Sequence, residues 1–164
     1  MDMFEQLGVL KKRIEYEILM NQTLLKLIRY EDDKPLENPD IDDVQELIKQ
    51  KYINFKPINY DKVIQDTRTF IVTSFNLSPT YKRDGFVNAD FYIRIITHNS
   101  LMDILVNNEE KSRVFSICSE INKSFLNARG DWLGKCDFKD FGEITTAQDQ
   151  YGVVLKYSVT NFKC

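Results

Sequence analysis

Glycine, proline, cysteine and histidine are all sparse in this 164-residue chain, and each shortage removes a class of function. The six glycines are scattered, so no glycine-rich loop is present to cradle a phosphate. The three cysteines, Cys118, Cys136 and Cys164, are an odd number without close pairing, which argues against a disulfide framework or a zinc knuckle. Serine and cysteine nucleophile motifs are absent. The one histidine, His98, falls at an expected strand end with no fixed partner, so it reads as a polar surface or interface residue before it reads as a general base. No apolar run approaches the roughly 18 residues that a bilayer requires. The opening Met-Asp-Met-Phe-Glu has neither the basic start nor the apolar core of a signal peptide, so a chain made and used in a reducing interior without export is expected. Positive charge is not in excess: 22 Lys and Arg stand against 25 Asp and Glu, leaving −3. No overall basic field advertises nucleic-acid binding.

What is present is an ordinary core-forming composition, 43% apolar and 12% aromatic, in a length that predicts one domain over 1–164. Within it, 1–60 reads as a helical lead-in and 67–164 as a sheet-and-helix core. The acid excess is local, with eight carboxylates against the single Lys34 between Glu31 and Glu46.

Asp2 and Glu5 approximate a capping box. Phe4, Leu7, Leu10, Ile14 and Ile18 then share one helical stripe to about Met20. Asn21 is placed to cap a second short helix carrying Leu24, Leu25, Leu27 and Ile28. Pro35 and Pro39 among charges predict a loop, and Asp40 or Asp42 a cap for a third helix through Val44, Leu47 and Ile48. Tyr52 to Tyr60 reads as an irregular surface connector. From Thr67 the period changes to two. Phe70, Val72 and Ser74 alternate with Ile71, Thr73 and Phe75, then comes a turn-rich tip from Ser78 to Gly85. The next strand, Phe86 to His98, puts Ala89, Phe91, Ile93 and Ile95 on one face. Asn88, Asp90, Tyr92, Arg94 and His98 lie on the other, interrupted by Ile96.

A helix is expected from Asn108 to Arg129. Its apolar stripe is Val114, Ile117, Cys118, Ile121 and Phe125, with Lys111, Arg113, Ser116, Glu120 and Lys123 off it. Strands at Phe141–Ala147 and Tyr151–Phe162 complete the pattern. The fold class that follows is α+β: an antiparallel sheet of about four strands, a long helix packed on one face, and two or three N-terminal helices before it.

Three constellations invite a functional reading. Tyr92, Arg94 and His98 on the polar sheet face suit a subunit contact, since Tyr and Arg are enriched at interfaces, although an ordinary wet sheet face explains them equally. Tyr81, Lys82, Arg83 and Asp84 form a small basic and aromatic loop tip, read as a solvated or partner-binding tip rather than a nucleic-acid contact. Asp131, Asp137, Asp140, Glu143 and Asp149 would serve a metal-dependent nuclease if they converged, but no spacing forces them to, and a solvated loop face is the simpler reading. No cofactor is expected.

In the order of its elements the chain resembles the tail-terminator and head–tail connector (neck) proteins of tailed bacteriophages. The likeness rests on the helical lead-in, on "DGFVNADFYIRIITHN" as a strand and on "EEKSRVFSICSEINKSFLN" as the helix packed on the sheet. The closing "FGEITTAQDQYGVVLKYSVTNF" completes it. The stretch "NQTLLKLIRYEDDKPLENPDIDDVQELIKQKYI" is longer than its counterpart in the smallest members, so terminator and other neck protein both stay open. The resemblance implies a structural, non-catalytic virion protein. It would form rings, commonly hexamers, between the tail tube and the head-completion or connector protein, with no membrane partner. DNA would pass through the lumen unread, and an acidic wall has little counterion-release attraction for phosphate. It also implies residence in the virion neck, with assembly in the host cytoplasm. A metal-dependent nuclease and a monomeric adaptor domain are the alternatives from other classes.

Overall fold

The computed structural model describes residues 3–56, 66–81, 87–127, 135–144 and 149–162. Four α-helices occur among them: α1 (Met3–Met20), α2 (Gln22–Arg29), α3 (Val44–Lys49) and α4 (Arg113–Asn127). Seven strands accompany them: β1 (Ile53–Asn54), β2 (Thr69–Tyr81), β3 (Val87–His98), β4 (Asp103–Val106), β5 (Glu109–Ser112), β6 (Lys135–Ile144) and β7 (Gln150–Phe162). The main sheet runs β1-β2-β3-β7-β6, and β4 and β5 form a separate two-stranded ribbon. The expected four-stranded antiparallel sheet is therefore present as β2, β3, β7 and β6. It is extended by β1, which pairs parallel to β2 through Ile53 opposite Ile71.

The alternation in β3 sorts its side chains as the sequence implies. Ala89, Phe91, Ile93 and Ile95 are buried, and they meet Val153, Leu155, Tyr157 and Val159 of β7 on the same face. The closing strand runs antiparallel to β3 along most of its length, with Ile93 opposite Leu155 and His98 opposite Gln150. Val114, Ile117, Ile121 and Phe125 of α4 are buried against this face. Each large side chain so buried contributes on the order of 1.5–3 kcal/mol. Phe91 stacks on Tyr157 at 5.2 Å between ring centres, and Phe125 meets both rings edge-on at 5.3 and 5.1 Å. Helices α1 and α2 complete the layer with Leu7, Leu10, Ile14, Ile18, Leu24, Leu25, Leu27 and Ile28.

Several expectations are corrected. Phe4 is not on the core stripe but 71% exposed. Asp43, not Asp40 or Asp42, caps α3, its carboxylate accepting from the Glu46 N–H at 3.1 Å. Tyr52 to Asn54 is buried rather than surface connector, because Tyr52 and Ile53 enter the core as β1 joins the sheet. The helix expected from Asn108 starts at Arg113. Asn107 and Asn108 both adopt positive φ, 55° and 63°, the signature of a tight two-residue hairpin turn, and Glu109–Ser112 is the return strand of that hairpin. The last hairpin begins at Lys135 rather than Phe141. On the second face of the sheet the expected interruption at Ile96 is part of a buried cluster with Phe70 and Val72. The Asp2 end of the capping box lies outside the described residues, as do 57–60 of the connector.

Asn21 behaves as expected and does more. Its side-chain oxygen accepts from the Leu24 N–H at 3.0 Å, capping α2. Its amide nitrogen donates to the Ser124 hydroxyl at 2.9 Å and the Glu120 carbonyl at 3.3 Å, which fixes the α1–α2 corner on α4.

Candidate functional site

Two surfaces stand out, one anticipated from the sequence and one not. The anticipated one is the second face of the sheet. Tyr92 and Arg94 project from β3 on that face, with Lys156 of β7 directly opposite Tyr92 and Ser74 of β2 on its other side. The Lys156 ammonium lies 5.7 Å from the Tyr92 ring centre and 3.1 Å from the Asp90 carboxylate. Burial pushes the Asp90 carboxyl up, and hydrogen bonds from Ser158 and Lys156 pull it further down, leaving it below its ordinary value. The Arg94 guanidinium donates to the Ser74 hydroxyl at 2.6 Å. The result is a half-exposed strip of alternating charge with an aromatic at its centre, ordered by cross-strand contacts.

His98 shares the alternation but not the cluster. It sits at the strand end, where its Nδ1 accepts from the Ser100 N–H at 3.2 Å and lies 2.7 Å from the Ser100 hydroxyl, capping the short 3₁₀ turn Asn99–Leu101. Of the loop residues, Lys82, Arg83 and Asp84 lie outside the described residues, as does the side chain of Tyr81.

The unanticipated surface lies between α4 and β6. A groove of about 360 Å³ is walled by Phe115, Cys118, Ser119 and Asn122 of α4 and by Phe138 and Phe141 of β6, with Leu155 and Tyr157 as its floor. Phe115, Phe138 and Phe141 are 53%, 50% and 40% exposed, an unusual concentration of open aromatic surface. Phe115 meets Phe141 at 6.0 Å, and Phe138 meets Tyr157 at 5.6 Å, so the groove continues the aromatic core to the sheet edge. Burial pushes the Cys118 thiol in its wall up to about 12 and also raises the Tyr157 phenol. An irregularity between Phe138 and Asp140 brings Phe138 and Phe141, three residues apart, onto the same helix-facing side. A regular strand would put them on opposite faces, which is why alternation in the sequence does not reveal the pair.

A buried cation shapes the flank of the helical layer. Arg113, which the spacing puts off the apolar stripe, is nevertheless only 1% exposed. Its guanidinium donates to the carbonyls of Leu101 (2.7 Å), Leu27 (2.8 Å), Tyr30 (2.5 Å) and Asp32 (2.6 Å). Desolvation lowers its pKa from the ordinary guanidinium value, and Asp32 and Glu31 oppose that shift. The Leu105 N–H donates to the Asp33 carbonyl at 2.6 Å, so the acidic loop after α2 is fastened to the β4–β5 ribbon.

The carboxylates weighed for metal-dependent chemistry are not gathered. Asp137 pairs with Lys135 at 3.2 Å and Lys139 at 3.7 Å. Asp140 accepts from the Phe141 N–H at 2.9 Å, and Glu143 accepts from the Tyr151 hydroxyl at 2.8 Å. Asp137 and Asp140 belong to β6 rather than to a loop, Asp149 is in the turn before β7, and Asp131 lies outside the described residues. Among the described residues no group of three or more His, Cys, Asp or Glu could hold a metal ion, and no helix is long and apolar enough to cross a membrane.

Comparison with known proteins places residues 21–159 in the family described as YomW, which is phage-associated. The match begins just after α1 and takes in every other element through most of β7. No curated protein matches the chain.

Proposed function

We propose that this chain, which belongs to the YomW family, is a structural subunit of a phage particle: a ring-forming tail-terminator or neck protein that joins the tail tube to the head connector and performs no chemistry of its own. The observation that carries the reading is the phage-associated family match over 21–159, taken with the tail-terminator resemblance of the same sheet-and-helix unit. The geometry favours assembly over catalysis. The described carboxylates are dispersed among separate partners, whereas the second sheet face and the α4–β6 groove are ordered surfaces with open area.

In this reading several copies, six in the usual ring, close head to tail through heterologous contacts. Tyr92 and Arg94 lie at the subunit contact, with His98 at its margin. The loop carrying Tyr81, Lys82, Arg83 and Asp84 meets the tail-tube or head-completion protein. DNA threads the lumen without specific binding, as the acidic balance of the chain favours. The ring is made in the host cytoplasm and ends in the virion neck.

Deleting the gene from an inducible phage genome tests this. Filled heads and separate tails are expected to accumulate unjoined, with joining restored by the wild-type chain in trans. Normal yields of complete, infectious particles from the deletion would overturn the proposal.

A further inference from the structure

Strand β6 closes one end of the main sheet, paired with β7 on one side and with no strand on the other among the described residues. Such an edge offers unpaired backbone donors and acceptors, and natural proteins commonly ward off other strands there with charges and bulges. Five of its ten residues are charged, namely Lys135, Asp137, Lys139, Asp140 and Glu143. Their order, however, is complementary to itself.

We propose that β6 is the docking edge for a second copy of this chain, the two strands running antiparallel about a two-fold axis between Lys139 and Asp140. Lys139 then faces Asp140 of the second copy and Asp140 faces its Lys139, giving two opposite-charge pairs at the centre. Phe138 faces Phe141 of the second copy, again twice, on the side occupied by α4. Asp137 faces Gly142, Cys136 faces Glu143 and Lys135 faces Ile144. The irregularity after Phe138 makes the register consistent, because it brings Phe138 and Phe141 to one face, as this pairing requires.

Neighbouring registers fail. A slip of two residues one way sets Asp137 against Asp140 of the second copy, a like-charge pair. The same slip the other way sets Phe138 against Glu143. A slip of one residue opposes side chains that belong to different faces. Pairing also covers the three half-exposed rings, Phe115, Phe138 and Phe141, by joining the grooves of the two copies along their edges. In the single copy Lys139 lies 3.7 Å from Asp137, and Asp140 accepts from the Phe141 N–H. Lys139 and Asp140 are exposed, so both can turn to the second copy without opening the core. This pair is a property of the free protein and does not depend on the neck reading, since a two-fold contact cannot by itself close a ring.

Sedimentation analysis of the full chain with a charge-swap set tests the proposal, with circular dichroism confirming that each variant is folded. The wild type is expected to be dimeric at micromolar concentration. K139D and D140K should each raise the dimer dissociation constant about tenfold or more, because each creates two like-charge pairs. The double variant K139D/D140K should return it to near the wild-type value. A strictly monomeric wild type, single variants that associate as well as the wild type, or a double variant as weak as the singles would each overturn the proposal.

Discussion

Arg113, the first residue of α4, donates to the carbonyl of Leu27 at 2.8 Å across 86 positions of sequence. A cation at a helix N-terminus opposes the dipole of its own helix. Here the charge is carried instead to the C-terminal end of α2, where carbonyls lack helical partners. The same guanidinium holds Tyr30, Asp32 and Leu101, so α2, the acidic loop and the start of the β4–β5 ribbon share one anchor.

Replacing Arg113 with Met should therefore destabilise the fold by on the order of 3 kcal/mol, because two buried and two partly buried carbonyls lose their donor at once. Arg113→Lys should recover only part of this, since an ammonium cannot match the planar fork of donors. Chemical denaturation of both variants checks the order. Equal stability of the three proteins would show that the carbonyls find water instead.

Asn21→Ala should cost about 1–2 kcal/mol, at the high end for a helix cap, because it removes the α2 cap and the bridge to Ser124 together. Asn21→Asp keeps an acceptor for Leu24 but loses the donor, so it should fall between wild type and Ala. Thermal unfolding of the three proteins orders them.

The Asp90–Lys156 contact predicts a specific pH dependence. The folded Asp90 carboxyl lies below its ordinary value of 3.8, so its contribution is present above that value and is lost as pH falls through the folded one. Asp90→Asn should lower the melting temperature slightly at pH 6, and the difference should begin to shrink as pH drops below about 4 and be gone once pH is below the folded value. The effect is small because each side chain is about one-third open to solvent, which screens the pair. A difference that does not shrink on acidification would place the cause elsewhere.

Cys118 offers a probe of the groove. With its thiol pushed up to about 12 by burial, its thiolate fraction at pH 8 is about a thousandfold below that of an ordinary cysteine. Peptide-resolved alkylation of the native protein should leave Cys118 almost unlabelled while it labels fully in denaturant. Fast native labelling would mean that α4 lifts from β6.

Much of the fold was legible because long amphipathic patterns record which face is buried. The stripes of α1, α2 and α4 and the alternation of β3 sort inside from outside largely as their spacing implies. Legibility failed where one residue serves two geometries. Asn107-Asn108 before Glu109-Glu110 fits a helix start and a hairpin turn equally well, and only the positive φ of both asparagines decides. Arg113 lies off the apolar stripe by its spacing, yet it is buried. Its partners are backbone carbonyls far away in sequence, which leave no pattern in side-chain identity. The α4–β6 groove was hidden by the irregularity in β6, since Phe138 and Phe141 at a spacing of three fit neither a strand face nor the surrounding charges. Of the anticipated surface, Tyr92 and Arg94 lie within one ordered strip, while His98 is occupied as a local cap.

The central claim is that this phage-associated chain is a structural component of the head–tail junction. Cryo-electron microscopy of purified particles, with the chain tagged and its copy number measured by quantitative mass spectrometry, tests it most directly. The account predicts a ring of this protein between connector and tail tube, present in a fixed number of copies per particle. Particles that are complete and infectious yet contain none of the chain would contradict it.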